Sequence, residues 1–297
     1  ITAGAWASGN ALNTARRGLQ TAGTQTAAIA ASGNTSSPGT SLTTNVEEYD
    51  GSSWTEVGNI TTARYDGAIG GTQSATIYAG GYGVGVIDNS EEFNGTSWTE
   101  GLNLNTARME VQGVGTQTSA LALGGRIEPG STYVTNAEYY DGSSWTAAPV
   151  PQISVVPYGA ANAVAFGVQT ACVYAGGQTA PTKVTTTTEW DGSSWTAGGA
   201  LFAATSTASA SGIATAGLMY GGYNPSTTGT TSGYDGTAWS TRPSMATARA
   251  SSGGLNGGAS SATAALASGG DTPPVSNATE EFTGETSAVN IETLTTS

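Results

Sequence analysis

Glu47-Glu48-Tyr49-Asp50-Gly51-Ser52-Ser53-Trp54 decides the reading of this chain, because it keeps returning. Close variants run from residue 91 to 98, 138 to 145, 188 to 195 and 232 to 239. A shortened copy, Glu280-Glu281-Phe282-Thr283-Gly284, has lost its tryptophan, and Trp6 carries only the downstream half of the motif. From Trp6 through Trp54, Trp98, Trp145 and Trp195 to Trp239, the spacing stays between 44 and 50 residues. Self-similarity at this period marks an array of supersecondary units that bury their apolar faces against one another.

The interval from Trp54 to Trp98 shows what one unit contains. Arg64 opens a loosely alternating stretch that reaches Gly70-Gly71, and the turn Gly71-Thr72-Gln73 follows. Ala75-Thr76-Ile77-Tyr78-Ala79 then ends at Gly80-Gly81, and a variable segment leads to Glu91-Glu92-Phe93. The pair Asn94-Gly95 turns the chain into Thr96-Ser97-Trp98. Four short strands between Gly-rich turns are the content of one propeller blade. The Asp-Gly and Asn-Gly pairs are strong hairpin signals, since Gly accepts positive φ and Asp or Asn tolerates it. The double glycine recurs at 80–81, 124–125, 176–177, 221–222 and 269–270, with Ser32-Gly33 in the first unit. The expected fold is all-β: one domain over residues 1–297, a six-bladed β-propeller of four-stranded antiparallel blades. The tryptophans are expected to pack, Trp190 among them.

Composition narrows the function. Eight Lys and Arg face 21 Asp and Glu, a net charge of −13, and Lys183 is the only lysine. A nucleic-acid binder needs a basic footprint to displace counterions, and none is present. No apolar run approaches the roughly 18 residues of a membrane span. The absence of His removes Ser-His-Asp catalysis and His-based metal sites. Cys172 is alone, in an apolar strand, and reads as a buried thiol. No Asp-x-Asp-x-Asp-Gly loop appears for calcium, so no metal, cofactor or catalytic residue is expected. A chain that opens on Ile1 reads as processed or as part of something longer.

The double glycine after mostly apolar residues, followed by an aromatic and then a Trp, resembles the kelch repeat over the whole chain. The chain departs from that pattern in the five-residue spacing of Tyr49 and Trp54 and in Ser32 of the first unit. Kelch propellers include copper oxidases, whose His ligands are missing here. The Thr-Ala-Arg, Gly-Thr-Gln and Gly-Ser-Ser-Trp-Thr phrasing is similar to kelch-like repeats of marine bacteriophage tail and virion proteins. That resemblance implies an extracellular, virion-borne, non-enzymatic structural or adhesive module in a tail fibre, tail tip or surface decoration. Its partners would be other virion proteins, a host cell-surface glycan or protein, and further copies of itself. The rivals are a purely structural virion subunit, a secreted bacterial adhesin and a sialidase-like glycosidase. Sialidases are often six-bladed and carry an Asp-x-Gly-x-x-Trp box, but Asp50 is followed directly by Gly51, so the box spacing fails.

Arg16, Arg64, Arg108 and Arg249 recur at the start of the first strand and are expected near the axis, bonded to backbone carbonyls or a Glu. In the fourth unit Val155 takes the Arg position and Pro149, Pro151 and Pro157 make that edge irregular. Drift of one repeat is the favoured cause; contact with a neighbouring subunit is the other. The propeller is closed either by residues 288–294, which alternate correctly and are preferred, or by the segment around Trp6. One face repeats the Gly-Thr-Gln and Asp-Gly turns and reads as scaffold. The other carries the segments that differ, 34–45, 82–90, 126–136, 178–187, 223–231 and 271–279. Variable loops on a rigid frame are where recognition sits. The candidate binding residues there are Tyr82, Arg126, Tyr133, Lys183, Tyr223 and Asn224.

Overall fold

A computed structural model describes residues 4–38, 40–129, 132–150, 161–179, 182–255 and 260–285. They form six blades of antiparallel strands around a central axis. In blade 1 the strands Gln20–Thr24, Ala27–Ala31, Val46–Tyr49 and Trp54–Glu56 follow one another from the axis outward. Blade 2 repeats this with Ala68–Thr72, Ala75–Ala79, Ser90–Phe93 and Trp98–Glu100, so the tryptophan opens the outermost strand and residues 94–97 form the turn. Blades 3, 4 and 5 keep the same order, their outermost strands being Trp145–Ala148, Trp195–Ala197 and Trp239–Arg242.

Blade 6 settles the closure. Its strands Ala264–Ser268 and Thr279–Thr283 are completed by the N-terminal strand Ala5–Gly9, which pairs with Thr279–Thr283 so that Trp6 faces Phe282. The preferred C-terminal closure at 288–294 is therefore corrected; that segment lies outside the described residues. Trp6 makes the N-terminal strand competitive, because its ring packs on Tyr220 and Phe282 at 5.0 and 5.3 Å between ring centres. The outermost place in blade 6 has no Trp of its own downstream of Phe282, and Trp6 fills it.

Six apolar clusters occupy the six blade boundaries. Between blades 1 and 2, for example, Ile29 and Val46 meet Ile69, Tyr78, Phe93 and Trp98. Near the axis the blades converge, and small residues are required there. A Cβ on Gly113 would lie 2.4 Å from the Ile69 carbonyl oxygen of the preceding blade. At the outer ends of the second strands the double glycines take positive φ, 66° and 105° at Gly80 and Gly81. Gly81 N–H donates across the boundary to the Arg108 carbonyl at 2.7 Å. Ser32 adopts the same left-handed conformation in blade 1, and its hydroxyl bonds the Thr43 and Arg64 carbonyls at 2.7 Å.

The tryptophans do pack, at 3–8 % exposure from Trp54 to Trp239. Five of the seven also reach back to the preceding blade through the indole N–H. Trp54, Trp145 and Trp239 donate to the hydroxyls of Thr279, Ser90 and Thr187, and Trp6 donates to Thr231. The acceptor is the first residue of the preceding third strand. Where that residue is Ala137, Trp195 turns to the Pro149 carbonyl instead. Where it is Val46, the buried Trp98 Nε1 has no partner. An unmade buried hydrogen bond costs about 1–3 kcal/mol. Val46→Thr supplies the missing hydroxyl at nearly constant volume and is expected to raise unfolding stability by about 1 kcal/mol, read as a higher denaturant midpoint at unchanged slope.

The conserved arginine of the repeat has a structural task away from the axis. Arg64 is fully buried and reaches the third strand of its own blade, donating to Glu91 at 2.5 Å and to the Asn89 and Gly80 carbonyls at 2.6 and 3.3 Å. Glu91 in turn accepts the Thr61 and Thr62 backbone N–H groups. Arg16–Glu47, Arg108–Glu138 and Arg249–Glu280 repeat the pair at 2.6–3.0 Å. The axial placement expected from sequence is corrected: burial beside the first Glu of the Glu-Glu motif is the stronger demand on a guanidinium. Burial pulls the Arg16, Arg108 and Arg249 guanidiniums below their ordinary pKa, opposed in each by its glutamate. Removing one member of a buried pair strands the other charge. Arg108→Met is expected to cost about 3–5 kcal/mol in denaturant unfolding.

Candidate binding face

The second-to-third-strand connections form a crown on one face. They are built as small hairpins, with Arg126–Ile127 paired to Thr132–Tyr133 and Gln178–Thr179 paired to Thr182–Lys183. Each hairpin is tied to the residue that follows the repeat's Arg position. The bridges are Arg17↔Asn34, Tyr65↔Tyr82, Met109↔Arg126, Ala161↔Gln178, Ser206↔Tyr223 and Ala250↔Asp271. This series fixes the register of blade 4. Ala161 stands where Tyr65 and Met109 stand, so position 160, and not Val155, answers to the Arg; both residues lie outside the described ones. The prolines of that segment disguised a five-residue offset. Pro151 and Pro157 also lie outside the described residues, so the irregular edge expected there is not further described.

One residue further on, the chain takes positive φ in every blade: Gly18, Asp66, Glu110, Asn162, Thr207 and Ser251, at 51–60°. These six are linked by backbone hydrogen bonds into a closed circle. Gly18 donates to Ser251, Ser251 to Thr207, Thr207 to Asn162 and Asn162 to Glu110. Val111 then donates to Asp66, and Asp66 to Gly18, all at 2.8–3.4 Å. The circle is the floor of the crown, and Gly18, Asp66, Asn162, Thr207 and Ser251 line a small cavity of about 40 Å³ there.

Two acids on that floor are held among cations. Glu110 Oε1 accepts from Arg126 Nη2 at 3.1 Å. Burial raises the Glu110 pKa, and Arg126 opposes the rise. Burial, and then the charge of Glu110, push the Asp66 carboxyl up to about 7. Among the described residues no group of three His, Cys, Asp or Glu is placed to hold a metal ion.

Four of the six sequence candidates fall on one continuous arc over blades 3 to 5. Arg126 faces Tyr133 within one hairpin. Gln178 Nε2 donates to Tyr133 Oη at 2.8 Å. Gln178 faces Lys183 in the next hairpin, and Lys183 Nζ lies 4.0 Å above the Tyr223 ring. Tyr82 stands apart in blade 2, its ring tilted by 57° against that of Tyr65 at 5.5 Å between centres. Asn224 belongs elsewhere: it lines a cavity of about 160 Å³ with Thr205 and Ser232, which occupy the Arg and Glu positions of blade 5. Sequence reasoning missed Arg17, Asp66, Glu110, Gln178 and Asp271. Lining up the repeats two residues past Arg would have exposed the polar series Asp66, Glu110, Asn162, Thr207 and Ser251.

The opposite face is tied down by the repeated turns. Gln73 Nε2 donates to the Ala28 and Tyr49 carbonyls of the preceding blade at 3.1 and 2.8 Å, and Gln25, Gln117 and Gln169 do the same in turn. In the Asp-Gly turns, Asp50, Asp141 and Asp191 accept from two following N–H groups and a Ser hydroxyl, which holds their carboxyls down at about 2. These side chains are spent within the frame.

No protein-family profile and no curated protein sequence matches the chain. The solved structure of YjhT is similar in fold: it superposes with a TM-score of 0.74 at 12 % sequence identity, over 91 % of this chain and 95 % of that one.

The raised Asp66 pKa has a sign that can be read in solution. A carboxyl that ionises near 7 when folded and near 4 when unfolded binds more protons in the folded state between those values. Its contribution to stability is complete below the unfolded pKa and is lost as pH rises through about 7. Asp66→Asn, which tolerates the left-handed conformation, is expected to flatten the fall in melting temperature between pH 5 and 8 (about the span of the titration).

Proposed function

We propose that this chain is a non-enzymatic binding module of kelch-like kind, carried on a phage virion as part of a tail fibre, tail tip or surface decoration. It contacts a host-surface glycan or protein through the loops between second and third strands. The arc Arg126–Tyr133–Gln178–Lys183–Tyr223 carries this reading. It joins two cations and two tyrosines across three blades, on the face whose loops differ from blade to blade. Aromatic side chains with polar tips and flanking cations are the usual anchors of a recognition surface.

The non-enzymatic part of the reading is supported by where the repeat's arginines are spent. A sialidase-like site needs clustered guanidiniums to hold a substrate carboxylate. Arg16, Arg64, Arg108 and Arg249 are each fully buried and committed to a glutamate and to backbone carbonyls. The virion assignment rests on the likeness of the Gly-Thr-Gln and Gly-Ser-Ser-Trp-Thr turns to phage repeats.

Binding of the purified chain to host bacterial cells, scored by flow cytometry, tests the module. The double substitution Arg126→Ala/Lys183→Ala is expected to lower cell binding at least about tenfold, the scale of one lost hot spot. Asn94→Ala on the opposite face should leave binding unchanged. No binding to any host envelope, with the loops buried against other subunits in assembled particles, would make the chain a structural subunit instead.

A further inference from the structure

We infer that the hollow between blades 4, 5 and 6 on the loop face is a subsite for one neutral sugar ring of a glycan. This rests on the proposal that the loop face binds a host-surface molecule, and it chooses glycan over protein.

The hollow has a volume of about 320 Å³. Gln178, Ser206, Thr207, Tyr223, Ser251 and Asp271 line it, so three blades and the axial circle meet there. That volume is at the small end of ligand pockets, which start near about 300 Å³. A protein partner would need roughly 800 Å² of contact on each side, which is a broad surface and not a cup. A single six-membered ring suits the size.

The chemistry of the lining suits a sugar as well. Tyr223 is 44 % exposed, whereas Tyr65 and Tyr82, in blade 2, pack against one another. The Lys183 ammonium covers one face of its ring, 4.0 Å from the centroid, and fixes its orientation; Lys183 does not line the hollow, which Tyr223 does. An aromatic plane is the natural partner for the C–H face of a pyranose, whose axial hydrogens form an apolar patch. The hydroxyl rim of the same sugar needs a few fixed donors and acceptors around the plane. Gln178, Ser206, Thr207 and Ser251 provide them, three of the four as hydroxyls of short side chains that lose little freedom on binding.

Asp271 sets the charge preference. Its Oδ2 accepts from Ser37 Oγ at 3.0 Å and lies 3.9 Å from Arg17, while its buried Oδ1 has no hydrogen-bond partner. Asp271 also lines the hollow, where a ligand hydroxyl can donate to its carboxylate. A ligand carboxylate would meet it as a like charge, on a chain of net charge −13. The hollow therefore favours neutral hexoses and N-acetylhexosamines over sialic acids.

The test is an NMR titration read on the resonances of the glycoside, so that it can be repeated unchanged in every variant. The probes are the methyl glycosides of glucose, galactose, mannose and N-acetylglucosamine, with 3′-sialyllactose as the anionic probe. At least one neutral glycoside is expected to bind, with saturable shifts of its own ring protons. The response should persist in Tyr223→Phe, vanish in Tyr223→Ala, and weaken about fivefold in Asp271→Ala, the effect of one hydrogen bond. Thr227→Trp, at the rim of the same hollow, should block binding and serves if Tyr223→Ala does not fold. No saturable shift with any neutral glycoside, an undiminished response in both Tyr223→Ala and Thr227→Trp, or tighter binding of 3′-sialyllactose would overturn the assignment. Cell binding that is lost with Tyr223→Ala while every glycoside fails would retain the loop face as a protein-binding surface and remove only the sugar subsite. Cell binding that is absent altogether would remove the binding module itself.

Discussion

Six backbone hydrogen bonds run head to tail around the axis, and everything else in the molecule is arranged so that this circle can close. Five of the links join a residue of one blade to its counterpart in the next, and the sixth runs from Val111, one residue past Glu110, to Asp66. The link demands positive φ, which Gly18 and Asn162 accept readily and Asp66 tolerates. For Glu110, Ser251 and above all the β-branched Thr207 it is an uncommon conformation. Such strain persists only where the surroundings over-determine it. Here they do: the residue before each link is bridged to the crown, and the residue before that is anchored by the buried Arg in four blades.

The repeated Glu-Glu-Tyr motif divides its labour on the same principle. The two glutamates alternate across the third strand. The first, as at Glu91, turns inward to the Arg of its own blade. The second turns to the neighbour: Glu92, Glu189 and Glu281 accept the phenol hydroxyls of Tyr140, Tyr234 and Tyr49 from the blade that follows. Burial and that carboxylate push each of these phenols well above its ordinary pKa. Blade 2 has Phe93 in the Tyr position, so Glu48 has no phenol to meet there. The Trp indoles and the Gln amides also point back to the preceding blade. No blade is complete alone, and the fold is cooperative around a ring, which is why the N-terminal strand is needed to complete blade 6.

The fold was legible in the sequence because the repeat is long, periodic and punctuated by Gly-containing turns whose conformations have few alternatives. Strand content, blade number, the packing role of Trp and the bonding partners of Arg all followed from it. The rest was hidden by particular residues. Closure turned on Trp6 against an alternating C-terminal stretch, and local alternation cannot weigh a contact with Tyr220 that is more than two hundred positions away. The register of blade 4 was lost because prolines stand where the Thr-Ala-Arg phrase should be. The loop face was partly legible: its aromatic and cationic residues were placed on the surface where the loops differ from blade to blade. Nothing local showed that Lys183 would settle on Tyr223, that Gln178 would link Tyr133 to that pair, or that Asn224 would face a separate cavity.

Blades 4 and 5 show how such a frame acquires specialised surface. In blade 5 the Arg position is Thr205 and the Glu position is Ser232; in blade 4 the Glu position is Thr188. Arg and Glu disappear together, as the cost of a stranded buried charge requires. A pair can be dropped at little expense, whereas half a pair cannot. What remains in blade 5 is the cavity of about 160 Å³ between Thr205 and Ser232, and the crown above it no longer has a guanidinium bonding the carbonyls at the base of its loop. Tyr223, at the root of that loop, is the exposed tyrosine of the arc. The sector that gave up the repeat's ion pair is thus the one whose loop carries the exposed tyrosine, because a loop released from the shared bonding pattern can take residues that the pattern would otherwise exclude.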